Sequence, residues 1–350
     1  MMESNLPTFV GPKTIVFGSF KGMGDLLSAS PVIAQELNAG SHVKLLLFPG
    51  PTLTNFVKLI DFGPNQANLQ THILPVSRSL ADFRIFLSQM SRFQPDLVWV
   101  SPHAPRPASS WKLPLLLWFI KTLYWPKAKL AGADSEHFSA LFDVRVPVDR
   151  GLPLAVREQT AYSMLDNGAA LPRPTRVSFI ESICEGRNEP PAYDLLIHPG
   201  ANAKNRVWPF MNYANLVKLI PAQYSIAVVG LEEDVKKMRQ VLPEDRDVQF
   251  LTGTLEQAIA AIARARVVLS MDSGNVHFAN FLGVPVVALF GKSDPASIVS
   301  PGGSILPIYE RKHLCQPCGK ATCNQREVYC MTSIAPETVA NALLGLLRTS

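Results

Sequence analysis

Charge is scarce in this chain. Asp, Glu, Lys and Arg make up 17% of its 350 residues, against 47% hydrophobic. That balance excludes an intrinsically disordered chain, which cannot bury enough apolar surface to offset the entropy of ordering. Massed basic residues are absent as well. The formal charge of +5 comes from scattered Lys and Arg, so nucleic acid is not an expected partner. A mildly basic surface would equally suit nucleotide phosphates or an anionic membrane face. No apolar run reaches the roughly 20 residues that span a bilayer. The longest, WKLPLLLWFIKTLYW (Trp111 to Trp125), is interrupted by Lys112, Pro114 and Lys121. The opening MMESNLPTF does not read as a signal peptide. The expected location is cytoplasmic, either soluble or peripheral on the inner face of the cytoplasmic membrane. No internal repeat is clear enough to use.

What is present is an alternation of strands and helices. Thr14 to Gly18, Val43 to Phe48, His72 to Pro75 and Asp96 to Val100 read as buried strands. Helical segments separate them, including the amphipathic Ser79 to Phe93 with apolar residues at helical spacing. The pattern resumes at Asp194 to His198, and it indicates α/β architecture with parallel, doubly wound sheets. At this length two domains are expected: residues 1–175 and 176–335, with residues 336–350 forming a last helix that packs across the domains. The segment around Trp111, Trp118, Tyr124 and Trp125 reads as a core helix or as a surface facing a membrane or lipid.

The chain is organised around VVLSMDSGNVHFANFLGVPVVALFGKSDP, Val267 to Pro295. A β-branched strand ends at Ser270. A helix opens near Asn275 and closes at Gly283, and a second buried strand runs from Val284 to Phe290. A helix that follows a strand through small residues presents free N–H groups and a positive dipole end, which together make an anion site. Ser273 and Gly274 stand at that point, with Asp272 before them and His277 one turn into the helix. A carboxylate repels phosphate, so Asp272 suits neutral hydroxyls such as those of a sugar. Helix capping is its plainer reading.

Two further stretches carry chemistry. GSFKGMGDLLSASPVIAQEL, Gly18 to Leu37, is a strand–loop–helix turn that lacks the GxGxxG pattern; Asp25 reads as a helix cap or as a carboxylate poised to accept a proton. LLIHPGANAKNRVWP, Leu195 to Pro209, sets Asn202, Lys204 and Arg206 in a loop before a helix. Cations there suit a leaving diphosphate, whose charge grows in the transition state.

These three motifs, in this order and together spanning residues 14 to about 295, resemble glycosyltransferase family 9, the ADP-heptose heptosyltransferases of lipopolysaccharide assembly. The resemblance implies a GT-B fold, two Rossmann-like domains with parallel sheets facing an interdomain cleft, the donor in the C-terminal domain and the acceptor in the N-terminal one. It implies a heptose moved from a nucleotide-diphosphate sugar, ADP-heptose first, to a lipid-linked saccharide of the lipopolysaccharide core. Another sugar or a protein acceptor is the alternative. By the same resemblance Asp25 is the general base, Lys21 and Gly24 meet the acceptor, and Ser273, Gly274 and the helix start hold the diphosphate, with Asp272 on the sugar. The family's Lys or Arg two places before the Trp selects Arg206, with Lys204 as the substitute; His277 fits the family's histidine. Glu232 or Glu233 would take ribose hydroxyls, and the Gly253–Thr254 backbone the base. No DxD motif stands where a metal-dependent enzyme of the other common fold would need it, so inverting, direct displacement without a catalytic metal or other cofactor is expected. A protein that binds nucleotide or metal in an assembly without turnover is the alternative of another class.

Cys184 stands alone. Cys315, Cys318, Cys323 and Cys330 form a C-x2-C-x4-C-x6-C run inside the loop 313–331. With no export signal, a disulfide framework is not expected. A structural zinc or iron site is one reading, free or redox-active thiols the other; some family 9 members carry similar loops. Four thiolates would leave no open position for catalysis.

Overall fold

The computed structural model describes residues 13–20, 22–48, 51–74, 79–102, 112–134, 138–166, 177–185, 187, 189–299, 303–318, 320 and 322–349. The chain divides into two compact units, 1–178 and 179–350.

The strands of the first unit are β1 (Thr14–Phe20), β2 (His42–Leu47), β3 (Ile60–Asp61), β4 (Leu69–Ile73), β5 (Leu97–Val100), β6 (Lys129–Ala133), β7 (Val144–Val146) and the start of the short β8 (Ser178–Phe179). Its helices are α1 (Met23–Asn38), α2 (Pro51–Val57), α3 (Leu80–Met90), α4 (Lys112–Tyr124) and α5 (Leu154–Ser163). The second unit continues with α6 (Glu181–Cys184), β9 (Tyr193–His198), α7 (Phe210–Leu219), β10 (Ile226–Val229), α8 (Glu232–Val241), β11 (Val248–Leu251), α9 (Leu255–Ala263) and β12 (Ala265–Met271). It ends with α10 (Gly274–Leu282), β13 (Val286–Phe290), β14 (Ile305–Tyr309), α11 (Tyr329–Thr332) and α12 (Pro336–Thr349).

Each unit holds one six-stranded sheet, ordered β4-β2-β1-β5-β6-β7 in the first and β11-β10-β9-β12-β13-β14 in the second. The described pairings are all parallel. Both orders reverse direction once, between β1 and β5 and between β9 and β12. At such a switch point neighbouring strands send their helices to opposite faces, which opens a crevice beyond their carboxyl ends where ligands bind.

The central strands are buried on both faces and read as continuous apolar runs: LVWV of β5, IAVV of β10 and VVALF of β13 are fully buried. The sequence reading does not anticipate β6, β7 or β14. Two of these, β7 and β14, are edge strands, short or carrying Pro307, and an edge tolerates a proline because one side of its ladder is unpaired. In the first unit α4 buries Leu113, Leu117 and Ile120 and leaves Trp118, Phe119 and Leu123 exposed. It thus has both a core face and an apolar outer face; Trp111 lies outside the described residues. Among the described residues no helix is long and apolar enough to cross a membrane. The last helix, α12, packs on α7, β12 and β13, burying Val339, Leu343 and Leu347 in the core of the second unit.

Candidate functional site

The second unit's switch point collects most of the residues with chemistry. In the β9–β12 pairing His198 stands opposite Ser270, so the loops that follow, 199–206 and 272–274, leave the sheet side by side. Gly274 starts α10, Ser273 is its N-cap, and Gly283 ends it with φ +71°, a left-handed conformation that favours glycine. The Ser273 side chain makes no capping bond; its hydroxyl lies 3.2 Å from that of Ser270. Asp272 sits just before it, 5% exposed, with its backbone N–H donating to Leu289 O at 3.1 Å.

Arg206 is the cation that meets this carboxylate. Its Nε lies 3.3 Å from Asp272 Oδ2, and its Nη1 donates to the Asp272 carbonyl at 3.2 Å. The Arg206 loop is held from below. Trp208 is fully buried, donates its indole N–H to Ile334 O at 3.0 Å, and packs edge-on against Tyr213. A tryptophan fixed this way leaves the preceding single turn, Lys204–Arg206, little freedom, and that is the physical content of the Arg-x-Trp spacing. Asn205 is buried in the turn, whereas Asn202 and Lys204 are exposed.

Other anticipated residues take the following places. Asp25 is the third residue of α1, and its Oδ2 accepts the Gly22 N–H at 3.0 Å; the carboxylate is half-buried, as is Gly24 beside it. Gly22, rather than Asp25, is thus the N-cap, and Asp25 closes the capping box from the third helical position through one of its two oxygens. Lys21 lies outside the described residues. His277 faces one turn into α10, half-buried. Glu232 is exposed at the start of α8. Thr254 caps α9 in a reciprocal box with Gln257, at 3.2 Å and 2.9 Å, and Gly253 lies so close to the Gln257 side chain that a Cβ there would collide with it.

Several residues at the same edge were not read from the sequence. Lys292, two residues beyond β13, is 7% exposed and donates its ammonium to Lys320 O at 2.8 Å. Asn205 Nδ2 donates to that same carbonyl at 3.1 Å. Asp234, rather than Glu232 or Glu233, turns toward Gly200, whose missing side chain leaves room for its carboxylate. Burial raises the Asp234 pKa. His198 is half-buried, and desolvation of its ring pushes its pKa down to about 4, so it stays neutral at pH 7 and adds no positive charge. The only local signal for Lys292 is its position in a Gly-x-Ser-Asp-Pro turn, which says nothing of burial.

The cysteine loop packs on the end of β13: a Cβ on Gly291 would strike Met331 Sδ and Cys330 Sγ, and Gln316 Nε2 donates to Gly291 O at 2.9 Å. Burial, then Cys318, Cys323 and Cys315, raise the Cys330 thiol pKa, so the four thiols share one neighbourhood. Among the described residues no three His, Cys, Asp or Glu side chains are gathered closely enough to hold a metal ion.

Residues 120–329 match the model of glycosyltransferase family 9 (heptosyltransferase). Lipooligosaccharide heptosyltransferase 2 of Haemophilus influenzae is 34% identical over 106 residues, a match covering 28% of this chain and 31% of that protein; the matched stretch thus spans about a third of that relative's length. The structure of Escherichia coli ADP-heptose lipopolysaccharide heptosyltransferase II superimposes with a TM-score of 0.63 at 19% identity, covering 96% of this chain and 99% of the other. The dodecameric iron-containing heptosyltransferase TibC of enterotoxigenic E. coli, solved in complex with ADP-D-beta-D-heptose, gives 0.55 at 13% identity, covering 98% and 78%. These likenesses show a GT-B fold. Because the family match takes in more than half of the sequence, the chain belongs to glycosyltransferase family 9, the heptosyltransferases.

Proposed function

We propose that this protein transfers a heptose from a nucleotide-diphosphate heptose, ADP-heptose in the first instance, to a lipopolysaccharide-core or similar lipid-linked acceptor. The observation that carries the reading is the Arg206–Asp272 pair at the N-terminus of α10. It sets a cation and free N–H groups where a diphosphate would leave, beside a carboxylate able to accept from sugar hydroxyls. Family membership and the heptosyltransferase relatives support it, and TibC is a neighbour solved with ADP-heptose.

In the reaction we infer, an acceptor hydroxyl oxygen attacks the anomeric carbon. The carbon–oxygen bond to the diphosphate breaks, and the configuration inverts in one displacement. The hydroxyl proton passes to Asp25, and the electron pair leaves with the diphosphate. Arg206 and the α10 N–H groups take up the growing negative charge there. Asp272 orients the sugar, and His277 bonds the same ligand from one turn into α10. The exposed Trp118, Phe119 and Leu123 on α4 support a peripheral contact with the membrane that carries the acceptor.

Thermal unfolding with ADP, GDP, UDP and their sugars tests the donor, since a ligand that binds only the folded state raises apparent stability. ADP and ADP-heptose are expected to raise Tm by several degrees at about 100 times their Kd. A shift with a different nucleotide alone would replace the donor, and no shift with any of them would sink the transferase reading.

We infer a structural metal at Cys315, Cys318, Cys323 and Cys330 from their spacing, although the described thiols are not gathered within ligand distance of one point. Soft thiolate ligands suit zinc or iron, and no step of the transfer passes through it. Elemental analysis of protein purified without chelator is expected to give about one equivalent of iron or zinc, lost with a fall in Tm when Cys315 and Cys318 are changed to Ser. Metal-free protein of unchanged Tm would leave these cysteines as ordinary thiols.

A further inference from the structure

The charges at the second unit's switch point do not balance. Two cations, Arg206 and Lys292, reach this edge, where Arg206 pairs with one buried carboxylate, Asp272. Burial lowers the Lys292 pKa first, and the Arg206 guanidinium lowers it further, while Asp272 and Cys318 act in the opposite direction. Lys292 lies beside the turn that carries Arg206, through the Lys320 carbonyl that it shares with Asn205. The hydrogen bond the structure shows for its ammonium goes to a neutral acceptor, the Lys320 carbonyl at 2.8 Å. An ammonium carries three donors, and burying one is costly unless opposite charge sits against it. Asp272 is already engaged by Arg206 at 3.3 Å. A diphosphate at the start of α10 would bring opposite charge to this ammonium.

We propose that Lys292 is a second cationic contact for the donor diphosphate, held in place by the cysteine-rich loop. The proposal rests on the donor reading above and extends it to a residue outside the three motifs. The loop holds Lys292 from several directions. Lys320 O accepts from both Lys292 Nζ and Asn205 Nδ2, which ties the loop to the turn that carries Arg206. Cys318 N–H donates to Lys292 O at 3.0 Å, and Gln316 grips the carbonyl of Gly291, the residue before it. A long, flexible side chain fixed in this way loses little further freedom when the ligand arrives. The cysteine loop thus has a function in donor binding that needs no chemistry from its thiols.

The test is titration calorimetry of the full chain with ADP, with UDP and GDP covering another base preference, on wild type, Lys292→Met and Lys292→Arg. Lys292→Met keeps the length and loses the charge. It is expected to weaken nucleoside diphosphate binding about 10- to 100-fold and to flatten the salt dependence of the affinity. Its Tm without ligand should not fall, because a buried unbalanced charge has been removed. Lys292→Arg should retain most of the affinity. A Lys292→Met affinity within threefold of wild type, or equal losses in both variants accompanied by a fall in Tm, would overturn the inference and leave Lys292 a structural residue. Wild type that binds none of the three nucleotides would overturn the donor reading and this inference with it.

Discussion

Asp25→Asn is expected to lower kcat for sugar transfer by about 10²- to 10⁴-fold, the range that a general base contributes, with ADP affinity within about twofold of wild type. The choice of asparagine follows from the geometry. Asp25 Oδ2 accepts the Gly22 N–H at 3.0 Å, and the amide oxygen of asparagine can accept the same bond, so the start of α1 is preserved. Alanine would remove the base and the cap together, and loss of such a cap alone costs about 1 kcal/mol. With asparagine, a fall in turnover reports the lost proton acceptor. Turnover within tenfold of wild type, measured with a nucleotide-heptose and a truncated lipopolysaccharide core, would remove Asp25 from the mechanism and leave it a capping residue.

Arg206→Ala should show two losses at once. Removing the guanidinium takes a cation from the leaving diphosphate, and ADP affinity is expected to fall about 10- to 100-fold, as when one charged hydrogen-bonding partner is truncated. It also leaves Asp272 buried without its partner. Breaking a fully buried pair costs about 3–5 kcal/mol; the Arg206 side chain is 31% exposed, which places the cost below that range. The two effects separate in a double-mutant cycle with Asp272→Asn. Neutralising Asp272 should restore the Tm lost in Arg206→Ala without restoring ADP affinity. If ADP affinity is unchanged while Tm falls, Arg206 serves only to neutralise Asp272, and the leaving group must find its cation elsewhere.

Both experiments concern residues that the sequence singled out, and the reason is local. Asp25 and Asp272 stand where a buried strand gives way to a helix through small residues, a change of period that is visible in a short window. The helix anticipated from Asn275 to Gly283 is found at Gly274–Leu282, because Gly283 and Pro285 supply stop signals that depend on backbone geometry alone. Most inner strands of both sheets are legible for a similar reason: buried on both faces, they carry unbroken β-branched and apolar runs, whereas the inner strand β6, KLAGA, lacks such a run and is not anticipated. Edge strands lack that pressure, and β7 and β14 went unread.

The residues fixed by local chemistry, then, are those the sequence by itself determined: the strand–loop–helix turns, the alternation that makes two parallel sheets, and the three motifs of the family. Which side chains meet was decided only in the tertiary structure. Arg206 and Asp272 are 66 positions apart, and they touch because β9 and β12 pair with His198 opposite Ser270; no pattern in either segment encodes that register. The burial of Lys292, the carbonyl it shares with Asn205 and the turn of Asp234 toward Gly200 are likewise consequences of packing between elements. Hydrophobic periodicity reports which face of an element leaves water. It carries no record of which neighbour arrives to cover it, and the charge balance of the site depends on that neighbour.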